Sequence, residues 1–406
     1  MKSRAFGRLR GLLIWFAAAA SFTCSGGGGT GPSDKPVVNA GSNASVMVGT
    51  PYTLSASFSD TAGQGPWSYQ VNWGDGNQST GTKSSTGTIS ATHTYGQKGD
   101  YNVGVVVTNS DGQSGDGSLT VTVAAPDPVI LAAGDIGDCD RTSDEATGAL
   151  LDTIPGTVMP LGDNAYVSGT PTEYANCYDP AWGRVKNRTR PVPGNHDYYN
   201  PGPSKNADGY FGYFGAAAGP DKKGYYDFTL GSWFIIVLNT GTENGDSIKA
   251  GSAQEQWLRA ELASHSQQCT LALWHHPQFT TVTGRPFIRP ETTPLFQALY
   301  DGGVDLLLNG HDHTYQRFAP MRADGTADAA FGVRQITVGT GGGEGLYGFG
   351  PTTPNLEVRA GNGEDPTFGV LKLTLHESSY DWKFIPAPGL GSFTDSGTGN
   401  CHGRPS

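Results

Sequence analysis

Five apolar segments of this chain each run into an acid, an amide or a histidine. "PVILAAGDIG" reaches Asp135, and "TVMPLGDNAY" reaches Asp163. "RPVPGNHD" ends in Asn195 and His196, "CTLALWHHP" in His275 and His276, and "VDLLLNGHDH" in His311 and His313. Continuous apolar runs read as strands buried on both faces, and between them "SDEATGALLDTI" and "SAQEQWLRAELAS" read as helices. Ser143 is the expected cap of the first helix, and Ser252 with Glu255 has capping-box spacing in the second. Strands alternating with helices predict an α/β domain, whose ligands bind beyond the carboxyl ends of the strands. Taken singly, each motif is a turn, a cap or a buried histidine. Taken together, five strand ends would gather carboxylates, imidazoles and an amide in one crevice. Oxygen and imidazole donors without cysteine suit zinc, iron or manganese, and their number exceeds what one tetrahedral ion takes.

Bulk properties agree with an exported protein. The net charge of -11 argues against binding nucleic acid or an anionic membrane. An acidic chain that takes an anionic substrate needs bound cations to attract it. Lys2, Arg4, Arg8 and Arg10 precede the apolar "GLLIWFAAAASF", a basic start and a short apolar stretch of the kind that directs export. Cys24 and "SGGGG" follow; this resembles a bacterial lipoprotein start, so 1–24 is expected to be a leader, 25–35 a glycine-rich linker and Cys24 a candidate for lipidation. The expected location is periplasmic, cell-surface or extracellular. Four further cysteines, Cys139, Cys177, Cys269 and Cys401, make an even number in an oxidising compartment. Cys139–Cys177 and Cys269–Cys401 are the expected bridges, with the other pairings open and a metal-ligand role for Cys139 ranked below them.

Residues 36–125 read differently. "YTLSASF", "YQVNW", "TISATHTY" and "YNVGVVVTN" alternate apolar and polar residues between Gly/Asp turns, the pattern of a β-sandwich. "VNWGDGNQSTG" and "HTYGQKGDYNVGVVVTNSDG" resemble the PKD-type domain, which implies Trp73 and Tyr95 in the core, Gly74-Asp75-Gly76 as a turn, and a module able to contact surface glycan or protein. "AAPDP" then marks a boundary, and 126–406 is the second domain.

The order Asp-x-Gly, Gly-Asp-x-x-Tyr, Gly-Asn-His-Asp, His-x-Pro, Gly-His-x-His in the second domain resembles the calcineurin-like metallophosphoesterases and, within them, the purple acid phosphatases. The resemblance implies a four-layer αββα sandwich with a dinuclear centre. Asp163 would bridge two ions, Asp135, Tyr166 and His313 would complete one site, and Asn195, His275 and His311 the other. Tyr166 implies Fe(III) paired with Zn, Mn or Fe(II), because a phenol of pKa about 10 is a poor ligand for divalent ions. The activity implied is hydrolysis of small phosphate monoesters by a metal-bridged hydroxide. His196 would be the general acid, Asp197 would orient its ring, and His276 would touch the phosphate or prop a ligand. Tyr315 and Arg317 are expected to be structural. The alternatives are a phosphodiesterase or nucleotidase on the same site, or a surface binding lipoprotein with a vestigial metal site.

Overall fold

The computed structural model describes residues 35–61, 65–199, 206–241 and 248–404. The expected leader with Cys24, and linker residues 25–34, lie outside the described residues. The chain divides into two compact units between Pro126 and Asp127.

The first unit is a β-sandwich. One sheet joins Val37–Asn39, Pro51–Ser59 and Gly87–Thr94. The other joins Ala44–Met47, Trp67–Asn72, Gln78–Lys83, Gly99–Thr108 and Ser114–Ala124. Alternating residues such as Leu54, Val71, Ile89, Val103 and Val105 form its core, with Trp73 and Tyr95 buried among them. The Tyr95 hydroxyl donates to the Trp73 carbonyl at 3.0 Å, so the polar tip of a buried ring is satisfied. The "GDG" segment is a turn held by side chains: Asn72 Oδ1 accepts from the Gly74 amide at 2.9 Å, and Asp75 Oδ1 from the Asn77 amide at 3.0 Å.

In the second unit the strands are β1 (Val129–Ala133), β2 (Thr157–Pro160), β3 (Tyr226–Leu230), β4 (Trp233–Val237), β5 (Cys269–Leu273), β6 (Leu306–Asn309), β7 (Tyr315–Phe318), β8 (Arg334–Val338), β9 (Leu356–Ala360), β10 (Gly369–Leu375), β11 (Ser379–Pro386) and β12 (Ser396–Asn400). Its longer helices are α1 (Ser143–Thr153), α2 (Ala253–Ser264) and α3 (Thr293–Gly302). One mixed sheet has the order β2-β1-β10-β11-β12, the other β3-β4-β5-β6-β8-β7-β9. Strands β4, β5, β6 and β8 run parallel, as do β1 and β2. Along β4, Ile235 and Val237 enter the core between the sheets, while Phe234 and Ile236 pack with Leu258 and Leu262 of α2 and Leu295 and Leu299 of α3. Leu271 and Leu273 against Ala272 repeat the alternation on β5, and Leu306 and Leu308 against Leu307 on β6. Both faces of this sheet are therefore covered, which is why its strands read as unbroken apolar runs. Helix α1 and the helical turns at 171–188 cover the other sheet, completing α/β/β/α layering. No helix among the described residues is long and apolar enough to cross a membrane.

Two local expectations differ in detail. Ser143 does not cap α1: Thr142 holds that position without a side-chain cap bond, and the Ser143 hydroxyl donates instead to the Gly342 carbonyl at 2.5 Å. A tertiary acceptor outcompetes the local one. Ser252 does cap α2, accepting from the Glu255 amide at 3.2 Å, but Glu255 reaches back to the Gly251 amide at 3.0 Å and not to that of Ser252.

Cys139–Cys177 and Cys269–Cys401 are disulfides. The second spans 132 residues and joins the start of β5 to the end of β12, so it ties one sheet to the other. Closing so long a loop removes much unfolded-chain entropy. Replacing Cys269 and Cys401 together by serine is expected to lower stability by roughly 2–5 kcal/mol in urea unfolding; an unchanged midpoint would show that packing alone holds the sheets together.

Candidate metal centre

The carboxyl ends of β1, β2, β5 and β6 lie at one edge because their ladders continue past the strands. The Asp135 and Ile136 amides donate to the carbonyls of Gly162 and Asp163, each at 3.0 Å. The Gly310 amide donates to the His275 carbonyl at 3.1 Å, and the Gly134 amide to Val338 of the facing sheet at 2.8 Å. The two sheets close on each other here, leaving no room for side chains. A Cβ on Gly310 would meet the Leu161 carbonyl at 2.8 Å, and one on Gly194 the Asp163 amide at 2.1 Å. Asp135, Asp163 and His311 take left-handed backbone angles, φ 63°, 48° and 67°. Such angles in non-glycine residues cost of order 1–3 kcal/mol each and cluster at functional sites. At His311 the angle turns the chain out of β6, so that His311 and His313 address different neighbours.

Those neighbours form two groups. Tyr166 Oη lies 3.0 Å from Asp135 Oδ1 and 3.1 Å from His313 Nε2, which is itself 3.3 Å from Asp135 Oδ1. Bonds of about 2.0–2.1 Å to a cation put neighbouring ligands roughly 2.9 Å apart at right angles and roughly 3.4 Å apart at the tetrahedral angle. The triangle fits one face of such a polyhedron. In the second group, His275 Nε2 is 3.1 Å from Asp163 Oδ2 and Asn195 Oδ1 is 3.0 Å from His311 Nδ1. Donor atoms of Asp163, His275 and His311 all lie within 4.8 Å of one another. Asp163 Oδ1 is taken by the His196 amide at 2.8 Å, but Oδ2 faces both groups, at 3.1 Å from His275 and 3.4 Å from Tyr166.

The donor chemistry fits a cation. His275 Nδ1 is fixed on the Leu161 carbonyl at 2.8 Å, which leaves Nε2 as the ligating atom. Although Asp163 Oδ2 is close, the two are not aligned as a hydrogen bond, and Nε2 is a buried nitrogen without a partner. His313 Nδ1 likewise donates to the Gly345 carbonyl at 3.2 Å, freeing Nε2, while Tyr347 stacks on the ring at 4.3 Å. Burial disfavours charge on Asp163, yet the positive charge of His275 close beside it and the hydrogen bond from the His196 amide hold its carboxyl well below the usual range. Burial also opposes charge on His275, and Asp163 overrides it, raising the imidazole to about 9. Burial, then Asp135 and Asp163, push the Tyr166 phenol well above 10. A phenolate in this place therefore requires a strongly acidic cation beside it.

His196 sits at the rim, its ring 4.7 Å from that of Tyr166. Its Nδ1 lies 2.7 Å from the Val167 carbonyl, and Nε2 turns toward Asp163 Oδ2 at 4.0 Å. Asp197 does not orient that ring. It is fully buried below the loop, accepting from the Tyr174 hydroxyl at 2.6 Å, the Gly194 amide at 2.8 Å and Asn164 Nδ2 at 2.9 Å. Adjacent residues on a tight helical turn point in different directions, so sequence neighbourhood misled here. His276 Nδ1 pairs with Thr240 Oγ1 at 3.1 Å, its ring lies 4.2 Å from that of His311, and burial keeps it neutral by lowering its pKa well below 6.5. Tyr315 and Arg317 are bound to Asp395, each at 2.7 Å, away from the two groups. Sequence reasoning missed Thr240, Tyr347, Arg285 and Arg289. Arg285 pairs with the buried Asp312, and Arg289 lines the cavity beside His276. The basic pair in "TGRPFIRP", a short loop beyond "WHHP", was the available signal.

Carboxylates, imidazoles, an amide and a phenol at the carboxyl edge of an α/β sandwich make the donor set of a metal-dependent hydrolase. Comparison with known proteins supplies the family. Residues 128–315 match the model of the calcineurin-like phosphoesterases, and residues 33–124 that of the PKD domain. Residues 128–315 thus match a calcineurin-like phosphoesterase domain, and they follow a PKD domain. Purple acid phosphatase 15 of Arabidopsis thaliana is 26% identical over 233 residues, 49% of this chain and 43% of that protein. An uncharacterized protein of Mycobacterium tuberculosis is 30% identical over 151 residues, 32% of this chain and 28% of that protein. The chain spans less than half the length of these relatives. A solved structure titled "Structure of PhoD" superposes with a TM-score of 0.47 at 14% identity, covering 90% of each chain.

Asp197→Ala would remove the acceptor of four buried donors, the Tyr174 hydroxyl, the Gly194 and Asn164 amides and Asn164 Nδ2. It is expected to cost roughly 2–4 kcal/mol in denaturant unfolding, whereas an unchanged midpoint would show that Asp197 does not brace this loop. Asp163→Asn removes the charge of the shared oxygen, and bound transition metal, read by mass spectrometry of purified protein, is expected to fall well below wild type. Full retention would sink the shared position.

Proposed function

We propose that this protein is an exported phosphatase that hydrolyses small phosphate monoesters at a dinuclear metal site. The observation that carries the reading is Asp163 Oδ2, one oxygen within 3.4 Å of donor atoms from both groups. Asp135, Tyr166 and His313 would hold one cation and Asn195, His275 and His311 the other, with Asp163 common to both. Two cations so held would acidify a water at neutral pH and neutralise charge on the phosphoryl oxygens. Their charge also answers how a chain of net charge -11 takes up an anion. The Tyr166 phenol, pushed up by burial and two carboxylates, favours a trivalent ion such as Fe(III) in the first position, with Zn, Mn or Fe(II) in the second.

His196 is the general acid of this reading. The Val167 carbonyl accepts a hydrogen bond from Nδ1–H and so orients the ring, and Nε2 would hand its proton to the departing alkoxide. Asn164 and Asp197 fix the loop that carries it. His276, neutral and tethered to Thr240, serves as a wall of the substrate cavity and a support for His311. Two disulfides support an oxidising compartment. The PKD domain would serve as a spacer or as a contact to surface glycan or protein.

His196→Ala is expected to lower kcat about 10²- to 10⁴-fold on alkyl phosphates and far less on p-nitrophenyl phosphate, whose phenol leaves without a proton. Equal losses on both would remove His196 from proton transfer. Tyr166→Phe is expected to abolish the visible tyrosinate–Fe(III) absorption; a band that persists refutes the phenolate ligand. Parallel assays of monoesters and diesters decide the substrate class, and a preference for diesters would overturn the monoester reading.

A further inference from the structure

We infer that Arg289 anchors a second anionic group on the substrate, a carboxylate or an additional phosphate beyond the one hydrolysed. The inference rests on the phosphatase reading and extends it to the leaving portion of the ester. The cavity beside the second donor group holds about 540 Å³, far more than a phosphoryl group fills. Asn195 and His311 stand in its wall together with His276, Thr240, Tyr199 and Arg289. An ester bound at the metal ligands would therefore direct its leaving portion along a wall that carries a guanidinium.

Among the described residues the Arg289 side chain has no hydrogen-bond or ion-pair partner. Its Nε is buried without a hydrogen bond, and Asp312 and Glu291, the latter also in the cavity wall, act on its guanidinium through charge without pairing with it. Its neighbour Arg285, by contrast, is paired with Asp312. A half-buried cation without a counter-ion is costly, and an anionic ligand removes that cost. The loop beneath it is built to hold it still. The Arg289 amide donates to the Gln278 carbonyl at 2.9 Å, and its carbonyl accepts from the hydroxyls of Thr292 and Thr293, each at 3.2 Å. Gln278 is buried and bonded to the same two threonines, at 2.7 and 3.0 Å. A planar fork on a preorganised loop suits bidentate recognition of a carboxylate or phosphate.

The test compares substrate pairs that differ by one anionic group: 4-carboxyphenyl phosphate against phenyl phosphate, and a nucleoside 5′-diphosphate against its monophosphate. In Arg289→Gln the ratio of kcat/KM within at least one pair is expected to fall about ten- to hundredfold, the size of a charge-assisted contact, and mainly through KM. Which pair responds tells a carboxylate from a phosphate. Arg289→Lys keeps the charge without the fork and is expected to lose part of the ratio; it carries the test should Arg289→Gln fail to fold. Ratios that stay within about threefold of wild type in both pairs overturn the inference. A wild-type protein that hydrolyses none of the four compounds overturns the phosphatase reading itself, and this inference with it.

Discussion

The shared carboxylate of Asp163 is the constraint around which the second unit is arranged. One oxygen is committed to the His196 amide, so the other is left to face His275 on one side and Tyr166 on the other. That geometry needs a left-handed residue at 163, a glycine at 194 whose missing Cβ lets the neighbouring loop approach, and a ladder that continues from β2 into Asp135 and Ile136. None of these serves stability by itself. Carboxylates and imidazoles crowded out of water, on three strained backbone positions, oppose folding. The wide apolar core between the sheets and the long disulfide offset that opposition.

Electrostatics explains why this crevice can handle an anion in an acidic chain. The fixed orientation of His275 and His313, each tied through Nδ1 to a backbone carbonyl, directs Nε2 lone pairs inward. On the cavity side the charge comes from the protein itself, in the guanidinium of Arg289, which has no partner among the described residues. The site is thus asymmetric: ligand atoms at the strand ends, and a cationic wall on the loop after β5. On the proposed reading, chemistry and selectivity would reside on different segments, and the second could vary without disturbing the first.

Much of this was legible in the residues. Apolar runs without alternation announced strands covered on both faces, and their polar terminations marked the edge where a site would form. The first unit was legible from period-two alternation and Gly/Asp turns. Local neighbourhood was less reliable. Asp197 follows His196 in sequence yet turns into the core toward Tyr174, and Ser143 gives its hydroxyl to Gly342 and not to its own helix. In both cases a partner distant in sequence outcompeted the adjacent one. Arg289 and Thr240 stood in plain view, but nothing in their spacing tied them to His276.

By itself the sequence determined the β-sandwich and α/β classes of the two modules, their order and the kinds of donor available, because these follow from hydrophobic period and side-chain chemistry. Tertiary structure alone decided which donors meet. Strand order, the glycine contacts that close the two sheets and the left-handed turn at His311 set distances of a few ångströms between residues up to 178 positions apart in the chain, from Asp135 to His313. Such distances depend on how chain segments pack against one another, and packing is a property of the whole molecule that no local stretch encodes.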